Sequence, residues 1–130
     1  MCNHLIIMDG LRNIEASLLH IIDRTSAIKT AADFGATPTG MDMLDVAAIR
    51  LMAIGEEIKK IDKRTDGKLL PQYPNIEWKD MMGMRDFIAH GYFRIDAAVV
   101  FDTLQNNVQP LLATIQQMIA DLDDKNSVFP

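Results

Sequence analysis

Apolar residues recur along the first quarter of the chain at spacings of three and four, which is the period of an α-helix. They predict one long first helix from about residue 11 to residue 32. The stretch FGATPTG, residues 34–40, interrupts this pattern with two glycines and a proline. Thr39, with Asp42 three residues later, then predicts the start of a new helix. The apolar stripe consists of Leu11, Ile14, Leu18, Ile21, Thr25, Ile28 and Ala32.

A second stripe, as regular as the first, predicts another long helix before a connector at residues 65–75. The connector, TDGKLLPQYPN, contains a glycine and two prolines, which prevent a continuous helix. A third helix should run from about Ile76 into the stretch at residues 84–94, Asp96 should cap a fourth, and Pro110 should end or kink the fourth so that a fifth begins there. No segment alternates as a strand would, so we predict an all-α fold, an antiparallel bundle of four to five helices. The second stripe consists of Leu44, Ala47, Leu51, Ile54, Ile58 and Ile61.

The length of 130 residues suits a single domain with a core of its own, and we predict one domain over residues 1–130 with a frayed tail from about residue 124. Hydrophobic residues make up 48% of the chain and charged residues 24%, as in ordinary globular proteins.

The single Cys2 cannot form an internal disulfide. Because the sequence shows neither a signal-peptide pattern nor a membrane-spanning segment, we expect a cytoplasmic protein with no membrane partner.

Charge and missing motifs argue against several classes of function. The net charge of −5 disfavours indiscriminate binding of polyanions, so any contact with nucleic acid must be local. The chain has no Glu-x-x-His pair, no Cys-x-x-Cys pair and no phosphate-binding loop. We therefore predict no metal site and no cofactor.

Four residues with chemical potential lie close together in the stretch MRDFIAHGYFR, residues 84–94. They are Arg85, Asp86, His90 and Tyr92. On a regular helix, Arg85 and His90 would lie about 140° apart around the axis, so one straight helix would not bring them together. Two solutions remain open. Either Gly91 in a left-handed conformation turns His90 back, or two copies of the helix meet across a dimer axis.

The chemistry that suits this set is metal-independent cleavage of RNA. His90, with an ordinary pKa of about 6.5, can activate a 2′-hydroxyl as a base or protonate a leaving 5′-oxygen as an acid, and the sequence does not choose between them. The planar guanidinium of Arg85 suits a phosphate that gains negative charge in the transition state. Asp86 could orient either partner, and Tyr92 could hold a phosphate or a base. The simpler alternative is that Arg85 and Asp86 form surface ion pairs while His90 merely ends a helix.

The string RDFIAHGY, Arg85 to Tyr92, resembles the R-x-x-x-x-H-x-Y signature of the HepT-like ribonuclease toxins of the HEPN superfamily. Two flanking stretches extend the resemblance. AIRLMAIGEEIKKI, residues 48–61, is similar to a family helix with an I-G-E core, and YPNIEWKDMMGMRD, residues 73–86, is similar to the segment that leads through a tryptophan to the arginine. The similarity covers about residues 48–118.

This resemblance implies a HEPN-like bundle that forms a homodimer, in which both copies of Arg85 and His90 line one cleft. It also implies the endoribonuclease of a toxin–antitoxin system, whose partner is a minimal nucleotidyltransferase antitoxin that transfers adenylyl groups from ATP to Tyr92 (AMPylation). A bulky anionic group there would occupy the phosphate site and repel RNA. The alternative, from a different class, is a non-catalytic helical module that docks a nucleotidyltransferase or a nucleotide, with Arg85 as a phosphate anchor.

Overall fold

The fold is a bundle of α-helices, seen in a computed structural model that describes residues 2–89 and 94–124. The predicted all-α fold class is confirmed, and the described ranges contain one isolated β-bridge but no strand. A short 3₁₀ turn, Leu70–Gln72, lies within the connector between the two halves of the bundle. The helices are α1 Cys2–Arg24, α2 Asp33–Ala36, α3 Pro38–Arg64, α4 Trp78–Met82, α5 Met84–Ile88, α6 Ala97–Asn106 and α7 Val108–Asp123.

Helix α1 contributes one face of the core and packs against both α3 and α7. Gly10 near its start lies beside Glu57 near the end of α3, and the guanidinium of Arg50 donates to the hydroxyl of Ser17 further along. The two longest helices are therefore antiparallel. The fully buried side chains of α1 are Ile7, Leu11, Ile14, Leu18 and Ile21.

The first helix both starts and ends earlier than the apolar pattern predicted, so the prediction of residues 11–32 is wrong in its bounds. The hydroxyl of Thr25 donates to the carbonyl of Ile21 at 2.8 Å and closes the last turn. Beyond it, the Asp33 carboxylate accepts the backbone N–H groups of Lys29 at 2.7 Å and Thr30 at 3.0 Å. These two hydrogen bonds lower the pKa of Asp33 and hold the chain in a turn that competes with helix.

The start of α3 also differs from the prediction, because Thr37 rather than Thr39 caps it. The Thr37 hydroxyl accepts the N–H of Gly40 at 2.9 Å, and Pro38 occupies the first helical position, where its missing N–H costs nothing. The second apolar stripe is confirmed as the buried face of α3, apart from its first member Leu44, which is half-buried.

The two C-terminal helices follow the prediction closely. The Asp96 carboxylate accepts the N–H of Val99 at 3.1 Å, so Asp96 is the N-cap of α6 as expected. Helix α7 begins two residues before Pro110, which confirms the predicted separation. The frayed tail predicted from about residue 124 falls mainly on residues 125–130, outside the described residues. No helix in the described part of the chain is long and apolar enough to cross a membrane.

Candidate functional site

The helices that carry the candidate site rest directly on α3 at Gly55. A Cβ atom at this position would lie 2.6 Å from the carbonyl oxygen of Met81 and 3.4 Å from the Cβ of Met84. Only a glycine allows the backbones of α3 and α4 to approach this closely. The site is therefore built on a rigid contact between two backbones.

The predicted third helix is broken at Gly83, which corrects the expectation of one continuous helix. The Gly83 N–H is shared between the carbonyls of Lys79 and Asp80, both at 3.1 Å, and α5 restarts at the next residue. Glycine has a low propensity for helix interiors, and a shared hydrogen bond of this kind is common where a helix ends. Met84 and Ile88 are buried, so the three residues between them, Arg85 to Phe87, face solvent.

Arg85 and Asp86 both have exposed side chains on α5. Neither side chain forms an ion pair or a side-chain hydrogen bond with any residue that the structure describes. The alternative in which these two residues form surface ion pairs therefore finds no support within residues 2–89 and 94–124. A guanidinium without a protein partner is available to a phosphate from solution.

The backbone turns back on itself at the end of α5. The N–H of Ala89 donates to the carbonyl of Arg85 at 3.0 Å, Ala89 and Ile95 form an isolated antiparallel bridge, and the N–H of Asp96 donates to the carbonyl of Ile88 at 2.8 Å. The residues just before and just after the segment 90–93 are therefore side by side.

Two of the four candidate residues, His90 and Tyr92, fall on residues 90–93 and lie outside the described residues, as does Gly91. The structure places Arg85 and Asp86 on one exposed helix and does not test the two solutions proposed for the 140° offset. It does bring one further cation to the site. Arg94, exposed and directly before the bridge, was not selected from the sequence, although its position two residues after Tyr92 could have drawn attention to it.

Tyr73, the other of the two tyrosines in the chain, has a structural role. Its hydroxyl donates to the Asp121 carboxylate at 2.6 Å, which joins the connector to α7. Burial, followed by the hydrogen bond to Asp121 and its negative charge, raises the pKa of Tyr73 above its ordinary value of about 10. A phenol in this state is a poor nucleophile.

Trp78 lies at the start of α4, beneath the connector. Its side chain is 8% exposed, and its indole N–H donates to the backbone carbonyl of Tyr73 at 2.9 Å. This bond fixes where the chain enters the two short helices that lead to Arg85.

A separate cleft lies away from the helices that carry Arg85. It has a volume of about 390 Å³, lies at the opposite end of the α1–α3 pair and is lined in part by His20, Arg24, Thr39 and Asp42. Within residues 2–89 and 94–124, no three His, Cys, Asp or Glu side chains are grouped so that they could hold a metal ion.

A family model matches most of the chain. The model of the family described as "Ribonuclease HepT-like" matches residues 14–118, which include the whole of α3 to α6 and the signature stretch. The chain therefore belongs to the HepT-like ribonuclease family.

Several curated relatives are similar to part of the chain. MJ0125 of Methanocaldococcus jannaschii, named as a candidate RNase, is 36% identical over 80 residues, which are 61% of this chain and 66% of that protein. MJ0127 of the same organism, also named as a candidate RNase, is 33% identical over 63% of this chain and 67% of its own length. A protein of Thermococcus cleftensis, named as a candidate ribonuclease HepT, is 36% identical over 55% of this chain and 63% of its own length. The matches thus span about two thirds of these relatives or less. No solved structure matches the chain.

Proposed function

We propose that this chain is a single-domain, cytoplasmic toxin of a toxin–antitoxin pair, a metal-independent endoribonuclease. The main observation in support of this proposal is the environment of the Arg85 side chain. This side chain is exposed and has no acidic partner among the described residues. The helix that carries it ends at Ile88, two residues before His90, and Ala89 between them forms a fixed backbone bridge. Membership of the ribonuclease family and the names of the relatives support the same function.

The proposed reaction is an attack by the ribose 2′-oxygen on the neighbouring phosphorus. The new P–O2′ bond forms as the P–O5′ bond breaks, the 2′-hydroxyl proton passes to a base, and the 5′-oxygen takes up a proton as it leaves. His90 performs one of these proton transfers, Arg85 holds the phosphate oxygens that gain charge, and Asp86 orients one of the two. The products are a 2′,3′-cyclic phosphate and a 5′-hydroxyl end.

Control of the toxin rests on Tyr92 in this proposal. A nucleotidyltransferase antitoxin transfers adenylyl groups from ATP to its phenolic oxygen, and the added negative charge next to Arg85 excludes RNA. The state of Tyr73 favours Tyr92 as the acceptor, because the Tyr73 hydroxyl is engaged by Asp121 and its pKa is raised. Two copies of the chain form a homodimer, so that Arg85 and His90 of both line one cleft.

The central test replaces Arg85 or His90 by Ala and measures RNA cleavage and growth inhibition. Both activities should fall by at least a hundredfold, while helicity and melting temperature stay near those of the wild type, since Arg85 faces solvent. Arg24→Ala is the matched control, because Arg24 is exposed and far from the site. Arg24 lines a cleft together with Asp42 of α3, and at 1.5 Å per residue Asp42 lies about 20 Å along α3 from Gly55, on which the site rests. Full cleavage by the Arg85 or His90 variant would remove the mechanism.

Chelation provides a second test of the same reaction. Cleavage should continue in excess EDTA and give cyclic-phosphate ends that are detectable by mass spectrometry. A reaction that EDTA stops and magnesium restores would contradict the metal-independent assignment. A purified wild-type protein that binds RNA or the antitoxin without any cleavage would instead favour the non-catalytic docking module.

Tyr92→Phe separates control from catalysis. The variant should keep much of the cleavage activity, because a phenol with a pKa of about 10 is a poor base at neutral pH, yet it should resist inactivation by antitoxin and ATP. Tyr73→Phe serves as the control and should still gain adenylyl mass and lose activity. If the Tyr92→Phe variant gains that mass as well, another residue is the acceptor.

The oligomeric state tests the composite cleft. Light scattering at working concentration should show at least a dimer. A stable monomer that cleaves RNA at the full rate would show that one copy contains the complete site.

A further inference from the structure

Arg94 occupies a defined position beside the proposed site. It directly precedes Ile95, whose bridge to Ala89 is reinforced by the hydrogen bond between the Asp96 N–H and the Ile88 carbonyl. Its side chain is exposed, and it forms neither an ion pair nor a side-chain hydrogen bond within residues 2–89 and 94–124.

The backbone geometry brings Arg94 close to Arg85. Ala89 lies one helical turn beyond Arg85, about 6 Å along the axis, and bridge partners have Cα atoms about 5 Å apart. With one further Cα–Cα step from Ile95 to Arg94, the Cα atoms of the two arginines are therefore at most about 15 Å apart. Two long side chains extending from such positions can contact two consecutive phosphates of one RNA strand.

The net negative charge of the protein makes a pair of neighbouring arginines significant for the binding of RNA. With a net charge of −5, the chain can attract RNA only where cations are not already neutralised. Some other cations are paired, since Arg12 lies 3.6 Å from Asp123 and Lys59 lies 3.1 Å from Glu56. Exposed lysines near the end of α3, such as Lys60 and Lys63, in contrast have no ion pair among the described residues. The two arginines that flank residues 86–93 have no such partner among the described residues.

We propose that Arg94 forms a second phosphate subsite, which binds the phosphate next to the scissile one on a single RNA strand. The inference rests on the proposed ribonuclease function and extends it to substrate class: an RNA with at least one phosphate beyond the bond that is cut. Arg94 is a specificity-determining residue in this assignment, because it holds the strand and does not touch the reacting atoms.

The experiment combines a change in the protein with a change in the substrate. Wild-type protein and Arg94→Gln are compared on RNA oligomers in which the flanking phosphate on either side of the cleavage site is intact or is replaced by a neutral methylphosphonate. For the wild type, neutralising one flanking phosphate should raise KM about tenfold with little change in kcat, as expected for loss of one charge-assisted hydrogen bond. With the intact substrate, the KM of Arg94→Gln should be raised by the same factor. Replacing the flanking phosphate by the methylphosphonate should then raise the KM of this variant no further.

Salt dependence gives an independent measure. The slope of log KM against log salt concentration should fall by about 0.7 in Arg94→Gln, the contribution of one phosphate contact to a single strand. Arg94→Lys should retain most of the slope, and Arg24→Gln should leave both KM and slope unchanged.

Three outcomes for Arg94→Gln would overturn the inference. The variant could keep the KM and the salt slope of the wild type, or it could lose only kcat, with KM unchanged, on every substrate. A change in its oligomeric state would instead place Arg94 at a contact between subunits. The proposed ribonuclease function is judged separately by cleavage in the wild type. If the wild type does not cleave, fluorescence anisotropy with the same RNA series still decides whether Arg94 binds the flanking phosphate.

Discussion

Gly55→Ala should destabilise the protein and impair the site together. The added Cβ would lie 2.6 Å from the Met81 carbonyl oxygen, whereas ordinary contacts begin at 3.4 Å, so α4 must move by about 0.8 Å. Overpacking of this kind costs about 1–3 kcal/mol, and here the closest group, the Met81 carbonyl, belongs to the backbone and cannot rotate away. The better helix propensity of alanine recovers roughly 1 kcal/mol. We therefore expect a net loss of up to about 2 kcal/mol in the free energy of unfolding.

Gly35→Ala is the matched control, because nothing lies within 4 Å of the Cβ position at this exposed glycine of α2. It should be neutral or stabilising by up to about 1 kcal/mol. Urea denaturation followed by circular dichroism measures both variants. Cleavage of RNA, assayed where each is fully folded, should fall about tenfold in Gly55→Ala alone, because α5 moves with α4 and displaces Arg85. If Gly55→Ala is as stable and as active as Gly35→Ala, the close contact does not position the site.

Three further substitutions test the supports of the fold. Tyr73→Phe should cost about 1–2 kcal/mol in urea denaturation through loss of the hydrogen bond to Asp121. Because the folded pKa of Tyr73 is raised, this stabilisation should be complete below about pH 10 and should be lost as the pH rises through the folded pKa; a difference from the wild type that persists unchanged at higher pH would contradict the reasoning. Thr37→Ala should cost about 1 kcal/mol by removing the cap on Gly40, and Thr37→Ser should restore most of it. Asp33→Asn should lower the melting temperature at neutral pH, where the carboxylate is ionised. That difference should shrink as the pH falls below about 4 and through the lowered pKa of Asp33, whereas a difference independent of pH would show that charge is not involved.

The apolar period predicted the buried faces of the long helices well, because burial on a helix repeats every three or four residues. It failed at the end of the first helix for a local reason. Ile28 is buried as predicted but lies beyond the helix, since the side chains of Thr25 and Asp33 bond to the backbone there. Periodicity reports burial and carries no information on which backbone conformation achieves it.

The backbone arrangement around the site was harder to predict from the sequence than the buried faces of the long helices. The break at Gly83 could have been anticipated from its residue type alone, but the partner of Gly55 could not, since a glycine does not indicate which backbone approaches it. The bridge between Ala89 and Ile95 is a single pair without a repeating pattern, so no sequence period predicts it. The choice of Arg85 and Asp86 came from the motif, and both are exposed on α5, but their roles stay predictions, as do those of His90 and Tyr92.

The indole of Trp78 gives the protein a built-in optical probe. Trp78 is the single tryptophan of the chain, it is buried, and its N–H is bonded to the carbonyl of Tyr73. Its emission wavelength and lifetime depend on that bond and on exclusion of water. Because it lies at the start of the short helices that lead to Arg85, its fluorescence can follow movements of this part of the protein in real time, without a label, when RNA or a partner protein is added.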